Sequence, residues 1–229
     1  MTRIKSLLIT LTIACGLVNA ADNQLSDSEQ QDGWKLLFNG KDLSEWRNYQ
    51  KKDIDPRWKV VDGTIKLTGK GGGDIMTKSS FDNFKLKLDW KISSGGNSGI
   101  FFMVDELGSA IYSHAPEVQI LDNERHSDRE IDSHRSGSLY DLIAAPAASQ
   151  KPAGEWNSVV IRYQNKHLTV WQNGIVTASI VIDSSSWNTL VKNSKFANWT
   201  GFASGKGGHL GLQDHGDIVW FKNIKIKEL

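Results

Sequence analysis

Cysteine is nearly absent from this chain. Cys15 is the only one, and it falls within an N-terminal segment that reads as a leader. A mature chain cut after Ala20 would hold none, which excludes a disulfide framework and leaves the domain to its apolar core. Long apolar runs are missing beyond the leader, so no later segment reads as a membrane span. Basic runs are missing too. Once Arg3 and Lys5 leave with the leader, 25 basic residues face 26 acidic ones, a balance that argues against tracking nucleic-acid phosphates. No stretch carries a sustained 3.6-residue apolar stripe. The Gly-rich loops Lys70–Asp74 and Ser93–Asn97 have neither P-loop nor dinucleotide spacing and open no helix.

The leader itself is explicit. Arg3 and Lys5 precede the apolar run Ser6–Val18, and Val18-Asn19-Ala20 supplies small residues for cleavage before Ala21. The run is shorter than the ~20 residues of a membrane span. These features predict a signal peptide over 1–20, a flexible polar tether over 21–32, one domain over 33–229, and a periplasmic or secreted protein. A lipid anchor at Cys15 is the alternative, against which stands Thr12 where leucine is usual.

From Gly33 onward the pattern is strands and turns. Phe84, Leu86, Leu88 and Trp90 alternate with Lys85, Lys87 and Asp89, the period of a half-buried strand. Trp156–Tyr163, Leu168–Trp171, Ile175–Ile182 and Ile218–Ile226 are further β-rich runs, and Asn173-Gly174 predicts a type I′ hairpin turn. Ser185–Phe196 is equally compatible with a short helix or a loop. Many short strands and 21 glycines point to an all-β, two-sheet antiparallel sandwich.

Two strands carry the chemistry. In Glu117-Val118-Gln119-Ile120, the apolar pair faces the core and Glu117 and Gln119 face the other way, a carboxylate beside an amide. In His209–His215, Leu210 and Leu212 face inward while His209, Gly211, Gln213 and His215 share the opposite face, with Gly211 leaving room for a ligand. The loop Asn123–Ser138 is dense in charge, and His134 within it is suited to base or metal-ligand duty. Nine tryptophans are available to stack on sugar faces. Trp90, Trp171 and Trp220 fall in apolar strands and read as core; Trp46, Trp58, Trp187 and Trp199 are the rim candidates.

Several stretches together resemble the bacterial 3-keto-disaccharide hydrolase domain family. They are Gly33–Leu43 with Trp46, Gly96–Phe101, Glu117–Asn123, Lys151–Asn157 with Trp171–Gly174, and Gly211–Gly216. The resemblance implies a concanavalin/LamG-like jelly roll and an exported enzyme that acts on glycosides oxidised to a ketone at sugar carbon 3. The charged Asn123–Ser138 loop departs from the shorter one expected of the family. On such a substrate the carbon-2 hydrogen is acidic, so the leaving group at carbon 1 can depart by β-elimination without a pair of carboxylates. Glu117, His134 and His215 are the catalytic candidates, Asn97, Gln119, Asp122, Gln213 and Asp214 the substrate-binding ones. A divalent metal ion held by Glu117 and His134 is the cofactor this chemistry invites. A non-catalytic sugar-binding module of the same fold remains the alternative. A conventional glycosidase is disfavoured because Gln119 stands where a second acid belongs.

Overall fold

A computed structural model describes residues 21–229; the expected leader and Cys15 lie outside them. The strands are β1 (Lys35–Leu36), β2 (Trp46–Asn48), β3 (Trp58–Val61), β4 (Thr64–Leu67), β5 (Ile75–Thr77), β6 (Phe84–Ile92), β7 (Asn97–Val104), β8 (Glu117–Leu121), β9 (Asn157–Gln164), β10 (His167–Gln172), β11 (Ile175–Val181), β12 (His209–Leu212) and β13 (Val219–Glu228). Three short helices join them: α1 (Asp27–Gln31), α2 (Ile111–His114) and α3 (Ser185–Lys192).

The strands form two antiparallel sheets of a jelly-roll sandwich. The larger runs β11-β10-β9-β6-β13-β4-β3, with β1 pairing β13, and the smaller runs β2-β5-β12-β7-β8. Alternation dictates the layers. Phe84, Leu86, Leu88, Trp90 and Ile92 of β6 are buried while Lys85, Lys87, Asp89 and Lys91 turn outward. Ile100 and Phe102 of β7, Val118 and Ile120 of β8, and Leu210 and Leu212 of β12 meet them from the smaller sheet, so the core lies between the layers. The Asn173-Gly174 turn has both residues at positive φ, 51° and 81°, as a type I′ hairpin requires.

A bulge shapes the other face of the smaller sheet. Met103 adopts a φ of 57°, and the β12–β7 register slips between His209 and Gly211. Phe101 and Val104 consequently share a face with Met76, Ile111 and Ala115, a second apolar cluster away from the main core.

The segment expected to be a flexible tether is docked. Ser26 caps α1 with a reciprocal capping box. Asn23 is buried and exchanges hydrogen bonds with Asn223: its N–H donates to Asn223 Oδ1 at 2.7 Å, and its Oδ1 accepts from Asn223 N at 2.9 Å. Glu29 pairs with Lys225 at 2.6 Å and Asp22 with Lys222 at 2.8 Å. The acidic residues that look solvated in sequence neutralise lysines on the outer face of the larger sheet.

Candidate active site

The site is built on the outward face of the smaller sheet. Gly99 pairs with Gln119 across β7 and β8, and Gln213 N donates to Gly99 O at 3.0 Å from the end of β12. Gln119 and Gln213 therefore flank one glycine, with Glu117 two residues along β8 and Asn97 at the start of β7. Gly99 has no side chain for a reason: a β carbon there would stand 1.9 Å from Glu117 Oε1, because the carboxyl group lies across it.

These four side chains line a cleft of about 260 Å³, with His215 at its edge. Tyr140, Lys195, Trp199 and Tyr112 close it from above. The covering loops hold together through rings and one clamp. Phe196 stacks on Phe202 at 4.0 Å and meets Trp199 edge-on at 5.1 Å, while Trp187 is buried behind them. Asp141 Oδ2 accepts from the Lys195 backbone N–H at 2.7 Å, and its Oδ1 lies 2.8 Å from His134 Nε2. Tyr140 N donates to Glu117 O at 2.9 Å, so the cover is tied to the strand that carries the carboxyl group.

The polar atoms of the cleft are not spent on one another. Asn97 Oδ1, Glu117 Oε1, Gln119 Oε1 and Nε2, and Gln213 Oε1 are buried and unpaired in the described protein. Leaving one such atom unpaired costs about 1–3 kcal/mol, and five of the nine such side-chain atoms among the described residues converge on this one cleft. Burial pushes the Glu117 carboxyl up to about 8, with Lys195 pulling against the shift and Asp74 and Asp128 adding to it. Desolvation beside the rings lowers the Lys195 ammonium below its ordinary value, against the opposing pull of Glu117, Asp141 and Asp128. On the same sheet, burial raises the Asp74 carboxyl to about 6, although its Oδ1 accepts from Asp214 N at 2.9 Å.

Three residues expected in the site stand elsewhere. His134 is stacked behind Tyr140, with ring centroids 4.3 Å apart, and its nitrogens face Asp141 and Asp128 rather than the cleft. Asp122 is buried at a turn, where its carboxylate accepts from Gly95 N at 2.6 Å and Glu124 N at 2.9 Å. Asp214 accepts from Gly71 N, Gly73 N and Gly216 N, which fixes the Gly-rich loop after β4. The room above Gly211 is also taken: a β carbon there would meet Ile111 Cδ1 at 2.6 Å, so the space serves packing rather than a ligand. Of the four rim tryptophans, Trp199 lines the cleft while Trp46, Trp58 and Trp187 are buried in the core. Trp171 and Trp220, read as core, are only partly buried.

Residues 33–227 match the family described as the 3-keto-alpha-glucoside-1,2-lyase-like domain. The chain belongs to that family. It is 36% identical to a 3-keto-disaccharide hydrolase of Bacteroides thetaiotaomicron, over 86% of this chain and 79% of that protein. A candidate glycosyl hydrolase from Parabacteroides distasonis superposes with a TM-score of 0.85 at 34% identity, covering 91% of this chain and all of the other. A second from the same organism gives 0.70 at 28% identity, over 86% and 99% of the two chains. The chain is thus a carbohydrate-active, hydrolase-like domain.

Glu117 and His134, the metal pair suggested by the chemistry of a keto-sugar, do not come together. Glu117 lies under the cleft, whereas both nitrogens of His134 face carboxylates on the far side of Tyr140. Among the described residues, no three His, Cys, Asp or Glu side chains converge as a ligand set. Tyr140 and Lys195 went unforeseen because neither lies on an alternating strand. The dense ring content of 187–202 was the one signal available for the cover.

Proposed function

We propose that this chain is an exported enzyme that cleaves glycosides bearing a ketone at carbon 3, starting from removal of the carbon-2 proton. The observation that carries this reading is the company Glu117 keeps. It is the one carboxyl group among the described residues lining the cleft, and unpaired amide groups of Asn97, Gln119 and Gln213 surround it. Ordinary glycoside hydrolysis needs two carboxyl groups about 5–10 Å apart across the bond. Elimination next to a ketone needs one base, donors to orient the sugar, and a proton for the leaving oxygen.

In this mechanism Glu117 takes the carbon-2 proton, and the electron pair becomes the enolate of the carbon-3 ketone. The enolate collapses to a carbon 1–carbon 2 double bond as the bond from carbon 1 to the leaving oxygen breaks. His215, the imidazole at the cleft edge, gives that oxygen its proton. Water adding across the new double bond yields net hydrolysis; release before that step yields the lyase product. A raised Glu117 pKa makes it a stronger base when ionised. Trp199 and Tyr112, 6.1 Å apart at the mouth, offer apolar faces to the departing group.

The test is incubation of the mature chain with a 3-keto-glucoside and with its unoxidised parent, followed by NMR. Cleavage of the keto-sugar alone supports the reading. Cleavage of the parent at a comparable rate overturns it, as does saturable binding of both without product, which would mark a sugar-binding module.

A further inference from the structure

The reaction proposed above builds negative charge on the carbon-3 oxygen, and a group must meet it there. Removal of a carbon-bound proton is slow without such a partner, and preorganised positive charge in a water-poor cleft is its most effective form. The Tyr140 ring stands between His134 and the cleft that Glu117 lines, so that pair does not supply the charge.

Among the described residues, Lys195 is the one lysine or arginine that lines the cleft. Its Nζ lies 4.0 Å over the Tyr140 ring, with Phe196 and Trp199 at 5.2 and 5.7 Å, so three rings set its position without neutralising it. The neighbouring carboxylates have other partners. Asp141 holds the Lys195 backbone N–H and His134, and Asp128 accepts from Tyr140 Oη at 3.3 Å and faces His134 Nδ1 at 3.4 Å. Among the described residues no carboxylate forms a salt bridge with the Lys195 ammonium. The platform is in turn joined to the base, because Tyr140 N donates to Glu117 O.

We infer that Lys195 is a catalytic residue whose ammonium binds the carbon-3 oxygen of a 3-keto-sugar and stabilises the enolate, in the role a divalent metal ion was expected to fill. No bond to nitrogen forms and nothing is oxidised or reduced. Glu117 accepts the carbon-2 proton, the enolate oxygen is held by the Lys195 N–H groups, and the electron pair moves on as the leaving oxygen departs. This inference rests on the reaction proposed above. It also gives the cover a task, since lifting 195–199 off the sheet would remove the charge together with the Trp199 wall.

The experiment is steady-state kinetics of the mature chain on a 3-keto-glucoside, comparing wild type with Lys195→Met, Lys195→Gln and Lys195→Arg, before and after EDTA. Lys195→Met and Lys195→Gln should lose about 10²–10³-fold in kcat, the loss typical of removing one oxyanion donor, with little change in KM. Lys195→Arg should recover part of that loss. Wild type should keep its rate after EDTA, and borohydride added during turnover should leave the protein mass unchanged. Lys195→Met or Lys195→Gln turning over at the wild-type rate would overturn the assignment. So would loss of wild-type activity in EDTA, which would restore the metal, or a borohydride-trapped sugar adduct on Lys195, which would make the lysine a nucleophile. A wild type inert on keto-sugars would strike the reaction itself; an active wild type with an indifferent Lys195 would strike only this inference.

Discussion

The carboxyl group of Glu117 lies across the backbone of Gly99, and a methyl group on that glycine would stand 1.9 Å from Oε1 and 2.6 Å from Cδ. The relationship is one of space rather than backbone strain, for Gly99 sits mid-strand in β7 and pairs in register with Gln119. Gly99→Ala should therefore leave the sheet formed and push the carboxyl group aside. A displacement of about 1 Å costs about 10²-fold in rate. The expected outcome is a loss of that order in kcat/KM with a cooperative melt retained, read by kinetics and calorimetry on one preparation.

The pH dependence of the rate follows from the same carboxyl group. Glu117 acts as a base only when ionised, and burial holds its pKa at about 8. The fraction in the active form rises with pH, so kcat/KM should climb through neutrality, until the Lys195 ammonium, which desolvation makes easier to deprotonate, loses its proton and turns the profile over. Glu117→Gln should lose about 10²–10⁴-fold, and the residual rate should no longer follow that limb. A profile with no rising limb up to pH 8 would instead make Glu117 the acid.

Stability should move in the opposite direction. Below pH 4.5, the ordinary value for glutamate, Glu117 is protonated in folded and unfolded chains alike and imposes no penalty. Between 4.5 and about 8 the unfolded chain ionises while the folded one does not, so folding stability falls as pH rises. At about 1.4 kcal/mol per pH unit over that window, the penalty is bounded at about 5 kcal/mol. Urea melts from pH 5 to 8.5 should show the decline, and Glu117→Gln should flatten it and be the more stable protein at the alkaline end.

The docked N-terminal segment separates two kinds of interaction. Asn23→Ala strips buried partners from Asn223 N and Gly63 O and places alanine at a φ of 57°, which should destabilise the fold by about 1–3 kcal/mol. Glu29→Ala removes contacts to Lys225 and Lys87 at the sheet surface and should cost about 1 kcal/mol or less. Denaturant melts of the two variants would order them, and Asn23→Ala should be the worse.

Strand alternation was enough to place Glu117 and Gln119 on one face and Val118 and Ile120 on the other, because a buried sheet permits no other register. Gln213 followed by the same logic, whereas Asn97 rested on the resemblance of Gly96–Phe101 to the family. Lys195 and Tyr140 did not, since their approach to the cleft depends on how two loops fold over a sheet formed elsewhere in the chain. His134 misled for a related reason. Its loop does return to the sheet, as the Leu139 bridge to Val118 shows, but the Tyr140 ring comes between the imidazole and the cleft. Asp122 and Asp214 have the composition of ligand-binding residues, yet backbone amides at tight turns occupy their oxygens. The 21–32 segment looked unstructured because its partners are lysines about 200 residues away.

The central claim is that cleavage begins with removal of the carbon-2 proton by Glu117. It is tested most directly with a 3-keto-glucoside deuterated at carbon 2, cleaved in ordinary water and followed by NMR and mass spectrometry. The account predicts that deuterium leaves carbon 2 in step with cleavage, and that both processes fall together in Glu117→Gln. Release of the leaving group with deuterium still on carbon 2 of the product would contradict it.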